Sequence, residues 1–445
     1  MENSRRNCKM KKLGLLLIGL VSLSQLNAQV PSPQKQKYKR ILFQNGSAHI
    51  GNGEYVHNSS IGIEEGKILF VRNALTYQLD ETEWDTIISI KGKHVYPGFI
   101  AANLTIGLTE IDAVRATRDF QETGTINPNV RSLIAYNTDS KVMYTIRTNG
   151  VLVTQSTPRG GLISGTSSVM ALDGWNWEDA VYKEDDGIHM NWPKKYKSSG
   201  WWAEPGPNKA NEKYAGTLAQ LYTFFEQAQA YADIKSPDQI YLKLEAMRGI
   251  FKGDQRLFIH VDYAPEINDV IDFARKFHLK HPVIVGGYDA HLLAERLKEN
   301  KFSVMLGRPH DLPNFDEDYT YVNYQSAAKL QRTGIPYCIQ GSGDMEVMNA
   351  RNLPFLAGTA WAYGLSEEEA VASITLNVAK ILGVDAHIGS LEEGKDATLF
   401  ISDGNALDMR TNHVSIAMVK GRFIVLDNHQ MQLSRKYHQR YGLVE

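Results

Sequence analysis

From Leu257 to Ile339 short apolar runs alternate with amphipathic stretches, and that order admits few folds. Leu257-Phe258-Ile259-His260-Val261 has strand length. The residues Ile267, Val270, Ile271, Ala274 and Phe277 that follow fall on one face of a helix beginning after Pro265. Pro282-Val283-Ile284-Val285, Phe302 to Leu306 and Ile335 to Ile339 read as further strands, with helical stretches at Ala290 to Glu299 and Ser326 to Arg332 between them. Parallel neighbours need a long crossover, and a helix supplies it, so this spacing predicts parallel βαβ units. A last helix is marked by a capping box at Ser366 and Glu369, an apolar stripe of Val371, Ile374, Val378, Ile381 and Leu382, and Gly383 at its end.

The two ends of the chain follow another rhythm. Between Arg40 and Ile90, runs such as Ile41-Leu42-Phe43 and Ile61-Gly62-Ile63 alternate with period two around Asn45-Gly46 and Glu65-Gly66 turns, which predicts antiparallel hairpins. Ala397 to Ile401, Val414 to Lys420 and Phe423-Ile424-Val425 repeat the habit near the other end. Five of the seven tryptophans fall between residues 172 and 214, a stretch that reads as an insertion. Two roles stay open for it: a lid over a functional site, or a loop packed down by its own indoles.

Residues 1–28 place Arg5, Arg6, Lys9, Lys11 and Lys12 before an apolar run from Leu13 to Leu23, then end Leu26-Asn27-Ala28. That is the pattern of a secretory signal peptide, and it predicts an exported chain, periplasmic or extracellular, followed by a polar linker over 29–37. No later stretch approaches membrane length, so no span is expected after cleavage. Removing those five cations and the single anion Glu2 takes the formal charge from −2 to −6, which gives no electrostatic basis for binding nucleic acid. Cys8 leaves with the signal, and Cys338 is left without an intrachain partner. Its neighbours Tyr337 and Ile339 favour a small core residue over a nucleophile.

Two motifs narrow the fold further. Pro97-Gly98-Phe99-Ile100-Ala101-Ala102-Asn103-Leu104-Thr105 resembles the first barrel strand of the amidohydrolase superfamily, P-G-F-I-D-x-H-x-H. Gly389-Ser390-Leu391-Glu392-Glu393-Gly394-Lys395-Asp396-Ala397-Thr398-Leu399 resembles the G-S-L-E-x-G-K-D-A-D-L stretch with which that family leaves its barrel. Ala362 to Val384 is similar to the family's A-x-x-x-G-L-S-x-x-E-A-L segment, with Val378 where the family has proline. The resemblance implies an α/β fold: a TIM-type (β/α)8 barrel over 97–384, flanked by a small β-sandwich built from both chain ends, 38–96 plus 385–430, with a tail at 431–445.

In that family one or two divalent ions activate water, held by histidines on strands one, five and six, a lysine or glutamate on strand four and an aspartate on strand eight. Here the strand-one histidines are replaced by Asn103 and Thr105, whose neutral oxygens are poor zinc ligands. His260 matches the fifth-strand ligand, and reads equally as a rim histidine satisfied by backbone or water. Gly286 and Gly287 stand where the sixth-strand histidine belongs, no fourth-strand lysine is evident, and Asp344 follows the eighth strand as the candidate catalytic aspartate. Arg159, in the glycine-rich turn Thr157 to Thr166, Arg115, close to Glu110 and Asp112, and Arg351 are candidate substrate-binding cations; structural ion pairing is the competing reading for each.

Two functions stay in competition on the sequence. One is an exported hydrolase acting on an amide, peptide-like or cyclic amide carbon–nitrogen bond, with an atypical zinc-like centre. The other is a non-catalytic subunit or ligand-binding protein, without a metal, paired with an active paralogue or with itself. Binding of a carbohydrate or surface by the tryptophan-rich stretch is a third reading that rests on composition alone.

Overall fold

The computed structural model describes residues 33–76, 80–201 and 203–443. The signal segment and the start of the linker lie outside the described residues, as does Trp202. Residues 33 to 445 form one compact unit.

Eight strands make the central sheet: β1 (Phe99–Leu104), β2 (Val151–Ser156), β3 (Ile163–Ala171), β4 (Val181–Asn191), β5 (Arg256–Val261), β6 (Pro282–Gly286), β7 (Ser303–Leu306) and β8 (Tyr337–Ile339). They pair in chain order, from β1 to β8, as a nearly closed barrel. Burial on both faces explains the apolar runs of β5 to β7, where Ile259, Ile284 and Met305 are all fully buried. The ladder ends at β8 and β1, and the seam between them is bridged by side chains described below.

Parallel pairing holds from β4 through β8 and between β1 and β2. It fails at β3, which runs antiparallel to both of its neighbours. The turn over Thr157 to Leu162 is too short for a crossover, so the chain must reverse there. The stretch 172–214 is likewise not a single loop. Its first part is the barrel strand β4, and its second an antiparallel ribbon of Tyr196–Trp201 with Glu204–Ala210. The charged first half of β4, with Lys183, Glu184 and Asp185, disguises it as a loop.

Helices cover the strands where periodicity placed them: Ala264–Lys276, Val322–Thr333 and Glu367–Ser373. The capping box at Ser366 forms, with both reciprocal bonds present. The helix it starts stops at Ser373 and resumes over Leu376–Leu382, because Thr375 leaves the helical region (φ −131°, ψ −97°).

A second eight-stranded sheet takes Arg40–His49, Tyr55–Glu64, Lys67–Asn73, Thr86–Ser89 and His94–Pro97 from one end of the chain, and Leu399–Ser402, Val414–Val419 and Arg422–Phe423 from the other. It has its own apolar cluster, with Ile41, Phe43, Ile61, Leu399 and Met418 buried. The hairpin predicted from Glu65-Gly66 forms, both turn residues having positive φ (47° and 82°), whereas Asn45-Gly46 is not a turn but a bulge within Arg40–His49, with Asn45 at φ 69°. Thr86–Ser89 and His94–Pro97 pair parallel to the first strand, so the sheet is mixed. Gly66 and Gly421 touch across the two chain ends; a Cβ on Gly421 would overlap the Gly66 backbone. Among the described residues no helix is long and apolar enough to cross a membrane.

Candidate functional site

The carboxyl ends of β1, β4, β5 and β8 converge on one mouth, the face where barrel enzymes place their chemistry. Two groups of polar residues meet there.

The first closes the seam. Asn103 sits in a bulge, between the Ala101–Thr154 and Leu104–Ser156 pairs, and is buried in the left-handed region at φ 54°. Asparagine tolerates that conformation better than most residues. Its backbone N–H donates to Gln155 Oε1 (3.1 Å), and its Nδ2 donates to Gln340 Oε1 (3.4 Å) and Ser342 Oγ (3.1 Å) beyond β8. Arg159 reaches over from the β2–β3 turn: Nη1 donates to Asn103 Oδ1 (2.7 Å), and Nη2 to the Asn103 carbonyl (2.7 Å) and to both oxygens of Glu346 (3.0 and 2.9 Å). Glu346 also accepts from the backbone N–H of Thr105 (3.1 Å) and Gly343 (3.3 Å). A guanidinium and a carboxylate thus tie β1 to the segment after β8.

The second group is a file of side chains entering from below. Asp186 accepts from Ser167 Oγ (2.7 Å) and Gln155 Nε2 (2.8 Å), and burial pushes its carboxyl up to about 6. His189, fully buried on β4, contacts Ser167 Oγ through Nε2 (3.0 Å) and His260 Nε2 through Nδ1 (2.9 Å). Burial, with Arg159 nearby, takes His260 down to about 3, and burial holds His189 well below the usual imidazole range, so both rings are neutral at pH 7.

Above them lies a cavity of about 340 Å³, lined by His260, Asp262, Tyr263, Lys194, Gln340 and Ser342 among others. The Asp262 carboxyl is raised from the usual carboxylate range, first by burial.

The predicted site residues distribute as follows. His260 faces this cavity, and Arg159 is committed to Glu346. Asp344 is exposed and offers its backbone carbonyl, not its carboxylate, to Arg308 Nη1 (3.2 Å) and Asn349 Nδ2 (3.2 Å). Arg115 and Arg351 are exposed away from the cavity. Sequence reasoning missed Glu346, Asp262 and His189. Glu346 lies two residues past Asp344, Asp262 two past His260, and His189 on a strand hidden by its charged start. Cys338 is a buried free thiol, as its apolar neighbours imply, and burial pushes it up.

The residues do not fit a family-type metal cage. Asn103 Oδ1 and both Glu346 oxygens are spent on Arg159, and both nitrogens of His189 are engaged. Among the described residues no three His, Cys, Asp or Glu side chains gather as a metal site.

The amidohydrolase family model matches residues 243–424. The same relationship appears in curated proteins. An amidohydrolase of Hapsidospora irregularis, tasK, is 25% identical over 182 residues, 39% of this chain and 18% of that protein. The imidazolonepropionase of Syntrophobacter fumaroxidans is 30% identical over 97 residues, 22% of this chain and 23% of that protein. The chain belongs to the amidohydrolase superfamily. It spans less than a quarter of the length of either curated relative. The fold of this superfamily member is similar to the crystal structure of an amidohydrolase from Thermotoga maritima, with a TM-score of 0.73 at 24% identity over 86% of this chain and 99% of that one. A prolidase complexed with N-methylphosphonate-L-proline is more distant, at TM-score 0.51 and 15% identity over 86% of this chain and 99% of that one.

Proposed function

We propose that the chain is an exported hydrolase of carbon–nitrogen bonds in small amide substrates, and that its chemistry runs on its own side chains in the mouth cavity. The observation that carries the reading is the neutral His260, held at Nε2 by His189 and facing a polar cavity at the carboxyl ends of the strands. A water beside His260 gives a proton to Nδ1 as its oxygen bonds to the amide carbon. The oxyanion that forms lies against the Lys194 ammonium, the one lysine lining that cavity among the described residues. The proton then passes from His260 to the leaving nitrogen, the carbon–nitrogen bond breaks, and a carboxylic acid and an amine separate. The low basicity of His260 makes this a slow reaction. Membership of the superfamily supports the bond type, and residues 1–28 support export. Liquid chromatography with mass detection on a panel of dipeptides, N-acyl amino acids and cyclic amides tests the reading. Turnover that survives a chelator and disappears in His260→Ala is expected; no turnover of any amide removes it.

A second reading has its own observation. The Arg159–Asn103–Glu346 clamp takes up Asn103, which stands where the resemblance implies a metal-binding histidine; on this reading the mouth binds a ligand without turning it over, as a homo-oligomer or beside an active paralogue. Size measurements on the chain with and without such a paralogue, together with the turnover panel, separate the two.

A further inference from the structure

The mouth cavity does not end at Asp262. Asp262, Gly286 and Gly307 also line an adjoining cavity of about 180 Å³, whose far side is Arg308. Asp262 lines both cavities and Arg308 only the far one; Lys194, Glu266 and Asp311 are the other charged residues along this channel, and Asp311 is already paired with Arg308. The Asp262 carboxylate receives no hydrogen bond and enters no ion pair with the described residues. Glycine at 286 makes room for it, since a Cβ there would collide with its Oδ1. Arg308 spends Nη1 on the Asp344 carbonyl (3.2 Å) and Nη2 on the half-exposed Asp311 (3.1 Å), while Nε has no acceptor. Between the two charges the floor is bare backbone at Gly307, where an added Cβ meets nothing nearer than the Gly286 carbonyl at 4.0 Å.

One wall beside Asp262 is aromatic. Tyr263 lies 5.4 Å from Phe315 and 6.3 Å from Tyr288, and Tyr288 lies 6.2 Å from Phe315, ring centre to ring centre. A carboxylate beside ring faces suits an ammonium group, which gains from both. A guanidinium suits a carboxylate.

We propose that the mouth takes a small zwitterionic amide of dipeptide size, with its ammonium group on Asp262 and its carboxylate on Arg308. The inference rests on the hydrolase reading for the pocket, and names the class of substrate that the pocket selects. A neutral amide would leave the half-buried Asp262 charge without a counter-charge from the ligand, and an acyl group on the amine or an amide at the carboxyl end would each remove one contact.

Calorimetric titration of the full chain with glycyl-leucine, glycyl-proline and glycyl-phenylalanine, each also N-acetylated and as the C-terminal amide, tests this. At least one free dipeptide is expected to bind about tenfold or more tighter than either capped form, the loss of one charge-assisted contact. Asp262→Asn erases the discrimination against the N-acetyl form only, and Arg308→Gln that against the amide only. Gly307→Val blocks every member while the melting temperature holds. Equal binding of free and capped forms, no binding by any dipeptide, or discrimination that survives both charge substitutions overturns the proposal. Selective binding with no turnover keeps it and removes the hydrolase reading; turnover of neutral amides with no discrimination does the reverse.

Discussion

Replacing Arg159 with methionine keeps much of the side-chain length and removes the guanidinium from the β1–β8 seam. Glu346, whose side chain is only 11% exposed, then keeps two backbone donors and loses its counter-charge, while Asn103 Oδ1 and the Asn103 carbonyl lose theirs. Removing one partner of a fully buried pair costs about 3–5 kcal/mol. Arg159 is 21% exposed, so water repays part of that, and a loss of about 2–3 kcal/mol is expected. For a chain of this length that lowers the melting temperature by only about 2–4 °C, so urea unfolding midpoints are the more sensitive assay. Glu346→Gln strands the guanidinium instead and costs a similar amount. The double variant strands neither charge, and its loss is expected to fall about 1–3 kcal/mol short of the sum of the single losses. A loss below about 0.5 kcal/mol for Arg159→Met, or simple additivity in the double variant, refutes the clamp as what closes the seam.

Three further outcomes follow from individual groups. His260 is depressed to about 3 from an unfolded value near 6.5, so folding favours its neutral form; that stability is present above pH 6.5 and is lost as pH falls toward 3. Relative to His260→Gln, the wild type is expected to lose about 1 kcal/mol per pH unit between pH 6 and pH 4 in urea titrations, and parallel profiles would contradict this. Cys338 should resist a thiol reagent in the native chain and react fully once unfolded; rapid native labelling would show that it is not core. Gly421→Val places a side chain into the Gly66 backbone at a position with φ 77°, so the sheet joining the two chain ends should come apart, read as early protease cleavage near both termini.

Periodicity made the second half of the barrel legible because β5 to β8 are mostly buried and separated by amphipathic helices, so strand and helix periods alternate cleanly. The first half was obscure for two physical reasons. The reversal at Thr157–Leu162 leaves no helix between β2 and β3, and β4 begins with charged residues on a half-exposed segment before its buried end. His189 was hidden with that strand. His260 was readable because it ends an apolar run at a motif position. Glu346 and Asp262 were not, since a carboxylate just past a strand has no periodicity to mark which way it points. The substitution of Asn103 and Thr105 for histidines was plain in the sequence; that Asn103 adopts a left-handed bulge and joins Arg159 depends on contacts between segments 56 and 239 residues apart.

The claim that most depends on this geometry is that the mouth works without a resident ion. Metal analysis of the purified chain after equilibration with zinc, manganese and cobalt, paired with amide turnover before and after chelation, tests it directly. The account predicts less than about a tenth of an equivalent of any ion and turnover unchanged by the chelator, because the strand-one and strand-six histidine positions are substituted, His260 is bonded to His189, and Asp344 is exposed and outside the cavity lining. A stoichiometric ion whose removal abolishes turnover would contradict it.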